Sequence, residues 1–125
     1  MDHHKRPINL DLTSFSYPPM VIASILHRIS GVVLFLLLPM MLYFFSLSLQ
    51  SSISFSQLQA KLGEPGYKFF LWAFGAALIY HVLAGIRHLV MDCGWGESLV
   101  AARRSAQVVI VLALILMLGF GVVLW

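Results

Sequence analysis

The chain has 125 residues, of which 60% are hydrophobic and only 10% are charged, and its mean hydropathy is +0.90. A soluble domain averages about 25% charged residues, and so short a chain has too little interior to hide this much apolar surface from water. The formal net charge of +3 comes from basic residues at the ends of apolar stretches, where topology signals and lipid contacts belong, so nucleic-acid binding is not expected. The composition predicts an all-α integral membrane protein with a single domain, residues 1–125.

Three apolar segments are long enough to cross a bilayer, which takes about 20 residues of helix. They cover approximately residues 20–49, 67–91 and 106–125. Between the first two, residues 51–62 are rich in Ser and Gln, and Phe55, Leu58 and Leu62 recur at helical spacing. We therefore predict three transmembrane helices and a short fourth helix at the membrane interface.

Basic residues set the expected orientation. One side of the predicted topology holds five of them: Lys5, Arg6, Arg87, Arg103 and Arg104. The connection between the first two spans holds Lys61 and Lys68. Because cytoplasmic segments carry the excess of Lys and Arg, the N-terminus is predicted to be cytoplasmic and the C-terminus to be on the other side.

The second span carries two histidines on one face. At about 100° per residue, His81 and His88 lie about 20° apart around the helix axis and about 10 Å apart along it. Their stripe also contains Phe74, Ala77, Ala84 and Gly85. One explanation is close helix packing, with each histidine bonded to a neighbouring helix. The other is a flat cofactor on this stripe, for which haem with a histidine as axial ligand is the natural candidate.

The two histidines cannot bind one iron from opposite sides, because they project the same way from one helix. His81 lies nearer the middle of the span and is the better candidate for the iron ligand. His88 and Arg87 lie nearer the cytoplasmic rim, where they could contact a haem propionate. From the residues alone, the second axial ligand could be His27 on the first span or a residue of another chain.

A second polar group lies on the first span, where Ser24 and Arg28 share a helix face that His27 borders. An arginine at this depth is costly unless it is paired, faces a cavity or extends back to the headgroups. A hydroxyl and a guanidinium are both hydrogen-bond donors, which suits the carbonyl oxygens of a quinone and the negative charge that reduction creates. The two spans therefore predict one redox pocket in the cytoplasmic half of the bilayer.

Several segments resemble the cytochrome b subunits of bacterial succinate dehydrogenase, which are membrane anchors of complex II. They are RPINLDL at 6–12, SILHRISG at 24–31, YH at 80–81, GIRH at 85–88 and Asp92. The resemblance covers the chain nearly end to end and includes the Arg-Arg-Ser sequence at the start of the third span. The patterns S-x-x-H-R-x-S-G and H-x-x-x-G-I-R-H are specific as a pair, although either alone would be weak.

The resemblance implies a complex in the bacterial inner membrane, and the distribution of basic residues then predicts that the C-terminus of this chain lies in the periplasm. A flavoprotein subunit would oxidise succinate, and an iron–sulfur subunit would pass electrons to ubiquinone. A second anchor would pack with the three spans in a helix bundle and share one haem b. The resemblance makes His81 one axial ligand, with the other from the second anchor. It places Ser24 and Arg28 in the quinone site, and His27 and His88 near the haem propionates.

Three other functions are possible for a chain with these spans. A fumarate reductase anchor would run the reverse reaction, and a structural anchor would have no redox role. A small transporter subunit is disfavoured, because a coupled carrier usually needs a carboxylate within the bilayer. All five acidic residues lie outside the spans or at their rims: Asp2, Asp11, Glu64, Asp92 and Glu97.

Overall fold

The computed structural model describes residues 18–125, which form four helices and no strand. In chain order they are α1 (Pro19–Gln50), α2 (Ser52–Leu62), α3 (Pro65–Asp92) and α4 (Leu99–Leu124). By length and composition, α1, α3 and α4 can each cross a membrane. The predicted all-α class and three membrane-spanning helices are therefore confirmed. The segment 6–12 lies outside the described residues.

The three long helices pack as a bundle in which α3 runs antiparallel to both α1 and α4. Tyr80 on α3 donates a hydrogen bond from its hydroxyl to the carbonyl oxygen of Ala23 on α1, at 3.0 Å. Trp72, near the start of α3, donates from Nε1 to the carbonyl oxygen of Met117 on α4, at 3.1 Å. The start of α1, the end of α3 and the start of α4 consequently meet at one end of the bundle. We call this the basic end, because it holds four arginines: Arg28, Arg87, Arg103 and Arg104.

Small side chains fill the interior of the bundle. Most of its buried residues are alanines: Ala23, Ala76, Ala77, Ala84, Ala102, Ala106 and Ala113. Such residues let helix backbones approach closely, which is the usual basis of packing between membrane helices. The outer surface is apolar, with Phe35 76% exposed and Val123 85% exposed. A surface of this kind is stable in lipid or against another membrane protein, but not in water.

The fourth helix begins earlier than the sequence predicted. Its N-cap is Ser98, whose hydroxyl accepts a hydrogen bond from the backbone N–H of Ala101 at 3.3 Å. Arg103 and Arg104 therefore lie in the first two turns of α4, not in the connection that precedes it. The difference arises because apolar length marks only the part of a helix inside the hydrocarbon, whereas the backbone can stay helical as it leaves it.

A pair of serines caps the start of α2, immediately after the end of α1. The Ser51 hydroxyl accepts from the backbone N–H of Ser54 at 3.1 Å, and the Ser54 hydroxyl accepts from the backbone N–H of Ser51 at 3.0 Å. This reciprocal capping box starts α2 with only Ser51 between it and α1. The expectation of a short helix at 51–62 is confirmed, and its location at the membrane interface stays a prediction.

We predict that Gly75→Ala destabilises the bundle, because Gly75 on α3 packs against Phe120 on α4. An added Cβ would clash with Cε1 of the phenyl ring and lie 2.9 Å from its Cζ, so the ring would have to move. Overpacking of this kind costs about 1–3 kcal/mol. Thermal unfolding of the protein in detergent, followed by circular dichroism, should show a lower midpoint.

Gly119→Ala is the matched control, because a Cβ at this α4 glycine meets nothing within 4 Å among the described residues. Alanine is also the better helix former, so this variant should be at least as stable as the parent. Equal midpoints for the two variants would contradict the packing explanation.

Candidate functional site

Three histidines come together between α1 and α3, toward the basic end of the bundle. The ring centroid of His27 lies 4.3 Å from that of His81 and 5.1 Å from that of His88. Because His81 and His88 are two helical turns apart on α3, the His27 ring from α1 stands between them. The structure thus unites all three histidines that the sequence singled out.

The imidazole of His27 is packed tightly into this contact. Its Nε2 atom is buried and has no hydrogen-bond partner among the described residues. Gly85 lies opposite, where an added Cβ would come within 3.8 Å of that nitrogen. A buried polar atom without a partner is rare in folded proteins and calls for an explanation such as a missing ligand.

The imidazole of His81 is held from α1 by a residue that sequence reasoning did not select. The Ser30 hydroxyl lies 3.0 Å from Nδ1 of His81 and bonds to the backbone carbonyl oxygen of His27 at 2.7 Å. Ser30 is only 6% exposed. The signal that could have found it is its place in the S-x-x-H-R-x-S-G pattern, at the end opposite Ser24.

Gly31 lets the His81 ring rest directly against the backbone of α1. A Cβ at this position would lie 3.2 Å from Cε1 of the ring, which is closer than ordinary van der Waals contact. The glycine is therefore needed for close approach between α1 and the imidazole. Ser30 and Gly31 together define where the ring sits.

Arg87 points away from the three histidines, into the contact between α3 and α4. It is buried, its Nε donates to the Ser105 hydroxyl at 3.0 Å, and its Nη2 donates to the carbonyl oxygen of Ala102 at 3.1 Å. One residue corresponds to about 100° around the helix, so Arg87 and His88 face different neighbours. The structure therefore does not bring Arg87 into the histidine group, and its contact with a propionate stays a prediction.

Ser24 and Arg28 lie on α1 beside His27. They are on a different face of the helix from Ala23 and Ser30, which are buried. Ser24 is half-buried and Arg28 is exposed. Neither side chain hydrogen-bonds to another residue within 18–125. Their donors thus lie next to the histidine group and face outward from the three-helix bundle.

Within residues 18–125, no group of three or more His, Cys, Asp or Glu side chains is arranged to hold a metal ion. Asp92 and Glu97 are both exposed near the end of α3 and the loop that follows. An iron held in a porphyrin needs only axial ligands from protein, so a single well-oriented histidine is the relevant feature here.

Comparison with known proteins assigns the chain to a family. The family model of the succinate dehydrogenase/fumarate reductase transmembrane subunit matches residues 2–120. The chain belongs to this family. The match includes the N-terminal segment 6–12 and both histidine-containing patterns, so the resemblance found in the sequence is confirmed.

Individual members of the succinate dehydrogenase/fumarate reductase transmembrane family are similar over nearly their whole length. The succinate dehydrogenase cytochrome b556 subunit of Coxiella burnetii is 47% identical over 97% of this chain and 98% of its own. The subunits of the same name from Rickettsia typhi and Paracoccus denitrificans are 32% and 30% identical, over 91% and 94% of this chain and 89% and 93% of theirs. The chain is thus a transmembrane subunit of this family, in agreement with its three apolar helices.

Proposed function

We propose that this chain is the haem b-binding anchor of a succinate:ubiquinone oxidoreductase and helps carry electrons from an iron–sulfur subunit to ubiquinone. The observation that carries the proposal is the His81 imidazole, held at Nδ1 by Ser30 and packed against His27. The relatives' name, cytochrome b556 subunit, supports it. Succinate oxidation itself belongs to a flavoprotein subunit, and residues 1–125 act as one anchor domain.

The residues of the histidine group fit a haem b. His81 would be an axial ligand, because its Nδ1 is engaged by Ser30 and its Nε2 is the nitrogen left for iron. His27 and His88 would contact the propionates, whose oxygens would satisfy the orphaned Nε2 of His27. The haem, when bound, supplies a one-electron carrier. The protein holds it, orients the ligand and keeps the ring away from water.

The second axial ligand is proposed to come from a second anchor subunit. His27 and His81 are in ring contact, with centroids 4.3 Å apart. Two imidazoles on opposite sides of one iron need the metal and the porphyrin plane between them, and this contact leaves no room for either. The apolar outer surface of α1 and α3 suits burial against that subunit and against membrane lipids.

Ser24 and Arg28 are proposed to bind the quinone. A hydroxyl and a guanidinium can both donate to a carbonyl oxygen, and the positive charge stabilises the oxyanion that develops on reduction. Because both side chains lie beside His27, a quinone bound to them would be near the proposed haem and would face a partner subunit. The iron–sulfur subunit would dock at this end of the bundle.

The basic end of the bundle supports one orientation of the chain in the membrane. Its arginines, including Arg103 and Arg104, favour the cytoplasmic side of the bacterial inner membrane, and Lys61 and Lys68 lie at the opposite end. We therefore propose a cytoplasmic N-terminus and a periplasmic C-terminus.

The second candidate is an anchor of fumarate reductase, because the family includes both enzymes. The direction of electron flow depends on the quinone and on the partner centres, so the same residues could serve quinol oxidation. A purely structural anchor would leave the partly buried histidine group, and the Nε2 of His27 that has no partner among the described residues, without a role.

A reduced-minus-oxidised absorption spectrum of the complex purified through this chain tests the proposal. We expect a haem b signal, in a complex that also reduces ubiquinone with succinate faster than it reduces fumarate with quinol. The complex without the second anchor is the control, and it should bind haem poorly because it lacks one axial ligand. An intact complex with no haem b would refute the proposal, and a faster fumarate reaction would favour the second candidate.

A further inference from the structure

The hydroxyl of Ser30 contacts two groups, the backbone carbonyl of His27 and the imidazole of His81. It lies 2.7 Å from the carbonyl oxygen of His27, which can only accept, so the single hydroxyl proton goes there. The same oxygen lies 3.0 Å from Nδ1 of His81 and can take part in that contact only as an acceptor. With the hydroxyl proton on the carbonyl oxygen, Nδ1 is the donor in the second contact, and in a neutral imidazole Nε2 is then unprotonated.

We infer that Ser30 is a positioning residue for the iron ligand and fixes the tautomer and orientation of His81. This inference rests on the proposed role of His81 as an axial ligand of haem b. A structural hydrogen bond that merely joins two helices would not require a particular nitrogen of the imidazole. Here the geometry leaves Nε2 with the lone pair that iron needs.

The surroundings make this arrangement rigid. Ser30 is 6% exposed, so water does not compete for its hydroxyl. The bond from its hydroxyl to the carbonyl three residues earlier anchors the side chain to its own helix. Gly31 holds the ring from the adjoining position, where a Cβ would lie 3.2 Å from Cε1. Ser30 and Gly31 thus hold the imidazole of His81 in one position and orientation.

The hydrogen bond should also adjust the electronic properties of the haem. An acceptor on the N–H of a ligating histidine raises the basicity of the ligand, and a more basic ligand favours the ferric state. Ser30 is therefore expected to lower the reduction potential of the haem. A residue important only for packing would not move that potential in a defined direction.

The test is an optical redox titration of haem b in the assembled complex carrying Ser30→Ala. Haem should remain bound, because His81 is intact, and its midpoint potential should shift to more positive values. Ser30→Thr keeps the hydroxyl and should restore a potential close to that of the parent. Ser48→Ala is the matched control on the same helix, because its hydroxyl bonds to the Phe45 carbonyl at 2.6 Å and contacts no histidine. It should leave the potential unchanged.

An unchanged potential in Ser30→Ala, or an equal shift in Ser30→Thr, would overturn the inference. If the complex with Ser30→Ala does not assemble, Ser30→Cys is the variant to titrate. A thiol is a weaker acceptor of similar size, so the midpoint potential of the haem should shift in the same direction but by less. An unshifted Ser30→Cys would also overturn the inference. Loss of haem in a His81 variant alongside an unshifted Ser30→Ala would refute this inference alone, whereas an unaltered haem in the His81 variant would refute the proposed function.

Discussion

Replacing His81 with leucine is expected to remove haem b from the assembled complex. Leucine has no nitrogen for iron, and the neighbouring His27 and His88 rings have no hydrogen bond to Ser30 that would orient them as His81 is oriented. Changes to groups that merely support a ligand reduce metal affinity by about 10–100-fold, so loss of the ligand itself should cost at least that much. The haem-to-protein ratio, measured by pyridine haemochrome assay of the purified complex, should fall accordingly.

His88→Leu is the contrasting variant, because it removes an imidazole from the same stripe of α3 but not the proposed ligand. It should retain most of its haem, with an altered environment at the propionates. Assembly is checked by the presence of all subunits on a native gel. If His81→Leu retains haem at the parent ratio, or if His88→Leu loses it to the same degree, His81 is not the ligand.

Replacing Arg28 with leucine is expected to abolish most of the quinone reductase activity. One donor that stabilises a developing oxyanion is typically worth about 10²–10³ in rate, and Arg28 is exposed beside the histidine group, where a substrate can reach it. Succinate-dependent reduction of ubiquinone should therefore fall by about that factor. Arg28→Lys should recover only part of the rate, since it keeps the charge without the planar fork of donors.

Succinate oxidation with a soluble dye as acceptor separates this effect from loss of assembly. The dye takes electrons before the quinone site, so Arg28→Leu should retain its full rate. Arg104→Leu is the matched control, because it removes an exposed arginine from the same end of the bundle but from α4. Normal ubiquinone turnover and KM in Arg28→Leu would exclude Arg28 from the quinone site.

The helices and their polar faces could be predicted because both depend on local spacing. The three apolar lengths gave the spans, and a rotation of about 100° per residue placed His81 and His88 on one stripe of α3. That spacing does not fix how one helix is turned relative to another. The Ser30 contact with His81 joins residues 51 positions apart and was not expected.

Arg87 is a second residue whose contacts could not be predicted from helical spacing. Its depth near the cytoplasmic rim suggested a propionate, but depth does not say whether a side chain faces α1 or α4. The small residues of α4 leave room for the guanidinium, and Ser105 and the Ala102 carbonyl accept its hydrogen bonds. A buried cation in a bundle of apolar helices needs such acceptors, and only the packed structure reveals which helix provides them.

The hydrogen bonds between the helices determine which substitutions the bundle can accept. Tyr80, Trp72 and Arg87, all on α3, donate to main-chain carbonyl oxygens of the neighbouring helices. Every residue type offers that oxygen, and its second lone pair remains available beyond the helical bond. At Ala23, Met117 and Ala102, which supply these carbonyl oxygens, the side chain can therefore change without loss of the hydrogen bond, provided that the new side chain fits the helix contact. Substitutions of Tyr80, Trp72 or Arg87, which supply the donors, should therefore cost more stability than substitutions at the three positions that supply the carbonyl oxygens.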